Sequence, residues 1–143
     1  MNAPKSIALA AATLALGAGL AATAPSAQAA QSAGPVRAHG WHLLFSDTHT
    51  PALGWRTKDF VPDVNNLGVN FGCWGEDGQK IKADIVRTRD GHVMASSPTH
   101  YCQGGHQWEV DAGNVRAGTS YYVHLSQTGA HKHSMYVKAY DYH

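Results

Sequence analysis

The chain has 143 residues, 43% of them hydrophobic and 15% charged, with 15 glycines, two cysteines and ten histidines. That length excludes a multidomain machine. A balance of 11 basic against 10 acidic side chains excludes a protein that binds nucleic acid through a global positive field.

The N-terminus carries the first readable element. Lys5 closes a short basic start, residues 6–24 form an Ala/Leu run, and Pro25 leads to the small-x-small triplet Ala27, Gln28, Ala29. This order of basic region, apolar region and cleavage site predicts a secretory signal peptide over residues 1–29. A membrane anchor fits less well, because the run is rich in Ala rather than Leu and no second hydrophobic stretch follows it. No membrane span is therefore expected in the mature protein, which carries ten residues of each charge sign. Export leads to an oxidising compartment, where Cys73 and Cys102 are expected to form a disulfide rather than a reactive thiol pair. Residues 30–38 are small and polar around Pro35 and read as a flexible leader, which leaves one domain over residues 39–143.

Beyond His39 no window keeps apolar residues at i, i+3, i+4 and i+7 long enough for a helix, whereas period-two patterns recur. Trp41, Leu43 and Phe45 alternate with His42 and Leu44 and predict a first strand, broken by the turn residues of 46–51. On this pattern Trp41 belongs to the core. Val69, Phe71 and Cys73 alternate with Asn70 and Gly72. Ile81, Ala83 and Ile85 alternate with Lys80, Lys82 and Asp84, the signature of a strand with one wet face. Asp90 and Gly91 suit a type I′ hairpin that returns the chain through residues 93–96. Trp108 and Val110 alternate with Gln107 and Glu109, again assigning Trp108 to the core. After Gly113 and Gly118 come two last strands, residues 120–126 and 134–142, joined around Gly129. Seven or eight short strands without a helix predict an all-β fold, an antiparallel β-sandwich or jelly roll, with a closed barrel as second choice.

The segment Ala117, Gly118, Thr119, Ser120, Tyr121, Tyr122, Val123, preceded by Trp108, Glu109 and Val110, resembles the end of secreted bacterial β-sandwich modules of the prepeptidase C-terminal type. The Ala-rich leader and short mature length are also similar to small exported proteins of high-GC Gram-positive bacteria. The resemblance implies a sandwich without catalysis of its own, and it transfers no site residue.

His131 and His133 lie two apart, and with His124 on the preceding strand they form a candidate Zn²⁺ or Cu²⁺ site if a two-residue turn sets the pairing. That pairing would put Lys138 on the face of Val123 and Leu125, and burying an ammonium is costly. A three-residue loop turns Lys138 to solvent and sends His124 outward, with His133 inward or at the rim, so the cluster splits. This second register is the expected one, and no resident cofactor is expected with it. Glu76 and Asp77 are the carboxylates for a hydrolase reading, but their Gly-flanked segment is typical of a solvated turn. Asp63, Asn65 and Asn66 offer oxygen ligands for Ca²⁺ without the later Glu of an EF-hand loop.

Four tryptophans and six tyrosines are more than a core of this size holds. Trp74 has the parity opposite Val69 and Phe71, and Trp55 lies in no period-two pattern, so both are candidates for solvent-facing rings, with packing under a long loop as the alternative, above all for Trp55. Tyr136, Tyr140 and Tyr142 share parity with Lys138 and predict an outer stripe on the last strand. The expectation is a secreted, non-catalytic binding module whose Trp55, Trp74, Tyr136 and Tyr140 contact a glycan, a cell-envelope component or another protein. The alternatives are a metal-binding protein using His124, His131 and His133, and a small secreted hydrolase or inhibitor acting through Glu76.

Overall fold

The structure is a computed structural model that describes residues 39–143. The expected signal peptide at 1–29 and leader at 30–38 lie outside the described residues. Nine strands and no helix are found among the described residues: β1 (Trp41–Ala52), β2 (Gly54–Arg56), β3 (Leu67–Cys73), β4 (Lys80–Arg87), β5 (Val93–Ser96), β6 (His100–Tyr101), β7 (Trp108–Ala112), β8 (Tyr121–Thr128) and β9 (His133–Tyr142). They form two antiparallel sheets, one in the order β1-β9-β3-β7 and one in the order β2-β8-β4-β5, with β6 also paired to β4.

Period-two alternation is the local cause of this division. Ile81, Ala83 and Ile85 of β4 are fully buried, while Lys80, Lys82 and Asp84 between them stay partly exposed. The same alternation buries Tyr121, Val123 and Leu125 on β8 and Met135, Val137 and Ala139 on β9. With Leu67, Val69 and Phe71 of β3, these inner faces close one apolar core between the sheets. The Cys73–Cys102 disulfide, Cα atoms 5.1 Å apart, ties the end of β3 in the first sheet to the segment after β6 in the second. The antiparallel β-sandwich with one disulfide is thus the fold.

Four features differ from the sequence reading, three of them because a distant partner overrides a local pattern. Strand β1 does not break at 46–51 but runs to Ala52, because among the described residues it is an edge strand paired with β9 alone, where Pro51 needs no N–H for a second neighbour. A bulge interrupts it: Leu43 pairs with Tyr140 but Phe45 with Ala139, so the inward parity changes at Leu44. Trp41 therefore points outward, 47% exposed, and is not a core residue, whereas Phe45 packs on the core and stacks with Phe60. Trp108 is half-buried against the core, its ring stacked 4.1 Å from that of His100.

Trp55 is the second correction. The three-residue strand β2 pairs with β8, setting Trp55 opposite Leu125 on the inner parity, and the indole is buried rather than solvent-facing. Third, β8 and β9 are not hydrogen-bonded neighbours: the chain crosses from one sheet to the other between them. Val123 and Leu125 share the core with Met135 and Val137, as expected, but from facing sheets rather than across a hairpin. Fourth, a five-residue loop over 88–92 joins β4 and β5 in place of a two-residue turn. The Gly91 N–H donates to the Arg87 carbonyl, with Gly91 at φ +68°, and the Asp90 carboxylate accepts from the Arg87 guanidinium and the His92 N–H.

Candidate ligand-binding face

The outer face of the first sheet is assembled by register. Across it, Ser46, Lys138, Asn70 and Glu109 stand side by side on β1, β9, β3 and β7; Leu43, Tyr140, Gly68 and Asp111 form the next row, and Thr48, Tyr136 and Gly72 the row on the other side. The outer parity of β9 places Tyr136, Lys138, Tyr140 and Tyr142 along one strand, as the sequence predicted. Strand β3 contributes Gly68 and Gly72 to the same face, and their missing side chains have a use. A Cβ at Gly68 would lie 2.9 Å from the Trp41 ring; one at Gly72 would lie 2.6 Å from the Tyr136 ring and run into the His106 carbonyl. Both rings consequently rest on bare β3 backbone.

The aromatics form two pairs. Trp41 meets Tyr142 with ring centroids 5.2 Å apart, and Trp74 meets Tyr136 at 5.3 Å. Trp74 is 41% exposed and packs over Gly105, whose φ of +87° and close approach to the indole nitrogen both require glycine. The Tyr136 hydroxyl donates to the Gly105 carbonyl at 3.2 Å, and burial pushes its pKa up, so it stays a donor at neutral pH. Gly68 and Gly72 are four residues apart on β3, so the two aromatic pairs stand roughly 13 Å apart at about 3.3 Å per residue. A groove of about 320 Å³ runs between Trp74, Tyr136, Gln107 and Lys138 and the β1 side chains Ser46, Asp47 and Thr48. A second groove, about 140 Å³, lies between Trp41, Tyr140, Asn70 and Glu109. Among the described residues neither Lys138 nor Glu109 has an ion-pair partner, which leaves both available to a ligand.

Of the residues proposed from sequence, Trp74, Tyr136 and Tyr140 come together here, and Trp55 does not, being buried against β8. Sequence reasoning missed Trp41, Ser46, Asn70 and the two glycines. The recurrence of Gly68, Asn70 and Gly72 on one parity of an otherwise apolar strand was the available signal.

The histidines are dispersed. His124 is exposed opposite Arg56 on the second sheet, His131 lies in the exposed crossover, and His133 opens β9 in the first sheet. They do not form a three-ligand group among the described residues. His133 instead engages Asp77, Nε2 to Oδ1 at 2.9 Å, and that hydrogen bond holds the Asp77 carboxyl below its usual range. The described residues that do converge are Asp63, Asp141 and His143, with ligand atoms within 4.8 Å of one another. The buried Asp141 carboxylate is already engaged there, accepting the Asp63 N–H at 2.9 Å and meeting His143 Nε2 at 3.2 Å. Glu76 lines a separate open groove with Tyr101 and Gln103. Asn65 uses its side-chain oxygen to accept the Ala117 N–H, a loop-fixing role. Compared with protein-family models and with curated proteins, the chain matches none.

Proposed function

We propose that the protein is an exported, non-catalytic module that binds glycan chains through the outer face of its first sheet. The observation that carries this reading is the seating of the Trp41 and Tyr136 rings on Gly68 and Gly72, which presents aromatic surface already ordered before a ligand arrives. A sugar ring offers an apolar C–H face and a rim of hydroxyls; an indole or phenol plane suits the first, and Ser46, Asn70, Lys138 and Glu109 suit the second. Two aromatic pairs roughly 13 Å apart along β3, at about 3.3 Å per residue, suit an extended chain better than a single sugar. A protein partner is the weaker match, because charged side chains occupy the middle of this face, and the centres of protein interfaces are depleted in charge. The leader pattern supports export, and the Cys73–Cys102 disulfide supports an oxidising destination.

The test is retention of the purified mature domain on insoluble polysaccharides and isolated cell walls, with tryptophan fluorescence titrated against soluble oligosaccharides. Retention that disappears in Trp74→Ala and in Trp41→Ala supports the reading. Failure to be retained on every matrix, with fluorescence unmoved by every oligosaccharide, refutes it.

A further inference from the structure

A separate pocket lies where the loop between β4 and β5 meets the connection from β7 to β8. It has a volume of about 80 Å³, several times the minimum for one water, and is lined by Arg87, Arg89, Asn114, Arg116, Thr119 and Tyr121. Among the described residues no carboxylate lines it. We infer that this pocket binds a phosphate group, as free inorganic phosphate or as a monoester on a larger molecule.

The donors converge and several are held in place. Asp90 grips the Arg87 guanidinium through Nε and Nη2 at 2.7 to 3.1 Å, leaving its remaining N–H groups directed elsewhere, on a side chain only 22% exposed. Tyr121 is fully buried, and its hydroxyl accepts the Arg116 backbone N–H at 2.8 Å. Among the described residues the hydroxyl proton of Tyr121 has no acceptor of its own, although both Tyr121 and Arg116 line the pocket. An acceptor in the pocket would complete that hydrogen bond. Arg116 has no ion-pair partner among the described residues, and Arg89 reaches Asp90 only at 3.6 Å.

Charge selects the class of ligand. Three guanidinium groups against the single carboxylate of Asp90 leave two positive charges in excess. A phosphate monoester carries about −1.5 to −2 at neutral pH and offers three acceptor oxygens, matching both the excess charge and the set of donors. Arginine forks suit such oxygens in bidentate geometry, and a phosphate monoester offers three oxygens and nearly two charges where a carboxylate anion offers two oxygens and one charge. The pocket shares no residue with the aromatic face, so this inference and the glycan reading stand or fall separately.

The experiment follows backbone amide resonances of the ¹⁵N-labelled domain while inorganic phosphate, a hexose phosphate and acetate are titrated in at constant ionic strength. Saturable shifts centred on the amides of Asn114, Arg116 and Thr119 are expected with either phosphate source; the tighter of the two identifies the natural form. Arg116→Gln keeps the backbone N–H that orients Tyr121 and should weaken phosphate at least about tenfold, the loss of one charge-assisted hydrogen bond. Arg89→Gln, altering a side chain 66% exposed, provides the same comparison should the first variant fold poorly. Lys138→Met, on the aromatic face, should leave phosphate affinity unchanged. No saturation of those amides up to about 20 mM phosphate, acetate binding as well as phosphate, or undiminished affinity in the folded arginine variant would overturn the proposal.

Discussion

Replacing Gly68 and Gly72 with alanine, one at a time, separates the close approach that the fold needs from the ring seating that binding needs. At Gly68 the three atoms nearest the new methyl belong to side chains: two Trp41 ring atoms at 2.9 and 3.0 Å and an Asp111 oxygen at 3.0 Å. Trp41 is 47% exposed and can swing into solvent. The ring packing lost, on the order of 1 kcal/mol, is offset by about 0.5–1 kcal/mol gained in removing a glycine from a strand interior. Stability should stay within about 1 kcal/mol of the parent, a melting shift of no more than about 4–8 °C for a domain of this size. At Gly72 the methyl meets the His106 backbone carbonyl and a Tyr136 ring whose hydroxyl is tied to Gly105, and neither retreats freely. Overpacking there should cost about 2 kcal/mol, within the usual 1–3, and lower the melting temperature by about 8–16 °C. Thermal melts by far-ultraviolet circular dichroism, run beside polysaccharide retention, read both effects. Gly68→Ala should melt near the parent and lose retention because the Trp41 indole is displaced from its seat on β3. Undiminished retention in Gly68→Ala, or a parental melting temperature in Gly72→Ala, would refute the reasoning.

Trp74→Ala should change stability little and abolish retention, whereas Trp55→Ala should cost about 3–5 kcal/mol through the cavity it leaves; matching denaturant midpoints for the two would contradict their placement. Reducing the Cys73–Cys102 bridge, which spans 29 residues, should remove about 3.5 kcal/mol in the chain-entropy account, and urea unfolding with and without reductant measures it. Asp90 has its pKa lowered from 3.8 to about 2, first by its hydrogen bonds to Arg87. A depressed carboxylate stabilises the fold above its unfolded pKa, and that contribution is lost as pH falls through 3.8 toward about 2. Asp90→Asn should therefore flatten the acid limb of a stability-against-pH curve in that window; an unchanged limb would show that the Arg87 contact does not persist in solution.

The face proposed for glycan illustrates how local and distant information combine. Parity along β9 is a property of the extended backbone, so Tyr136, Lys138, Tyr140 and Tyr142 could be placed together on the outer side before any neighbour was known. The same logic exposed Trp74, which continues the outward parity of Asn70 and Gly72 beyond Cys73. It misplaced Trp41, because a bulge at Leu44 exists only in relation to β9, whose register it adjusts. It also misplaced Trp55, because three residues are too few to show a period and the burial comes from pairing with β8.

The histidines show the same boundary from the other side. The cost of burying Lys138 was enough to separate His124 from His133, and they are indeed apart, but through a route that the argument did not contain: β8 and β9 belong to different sheets. The engagement of His133 by Asp77, the convergence of Asp63 with Asp141 and His143, and the arginine pocket all join residues far apart in the chain.

From the residues alone follow the all-β class, the disulfide partners and the side of each regular strand that meets water, since these depend on alternation and composition within a few positions. Which strands become neighbours, where the register slips and which side chains then meet were decided by the tertiary structure. They result from closing one dry core between two sheets, a condition on the whole chain that no short segment carries.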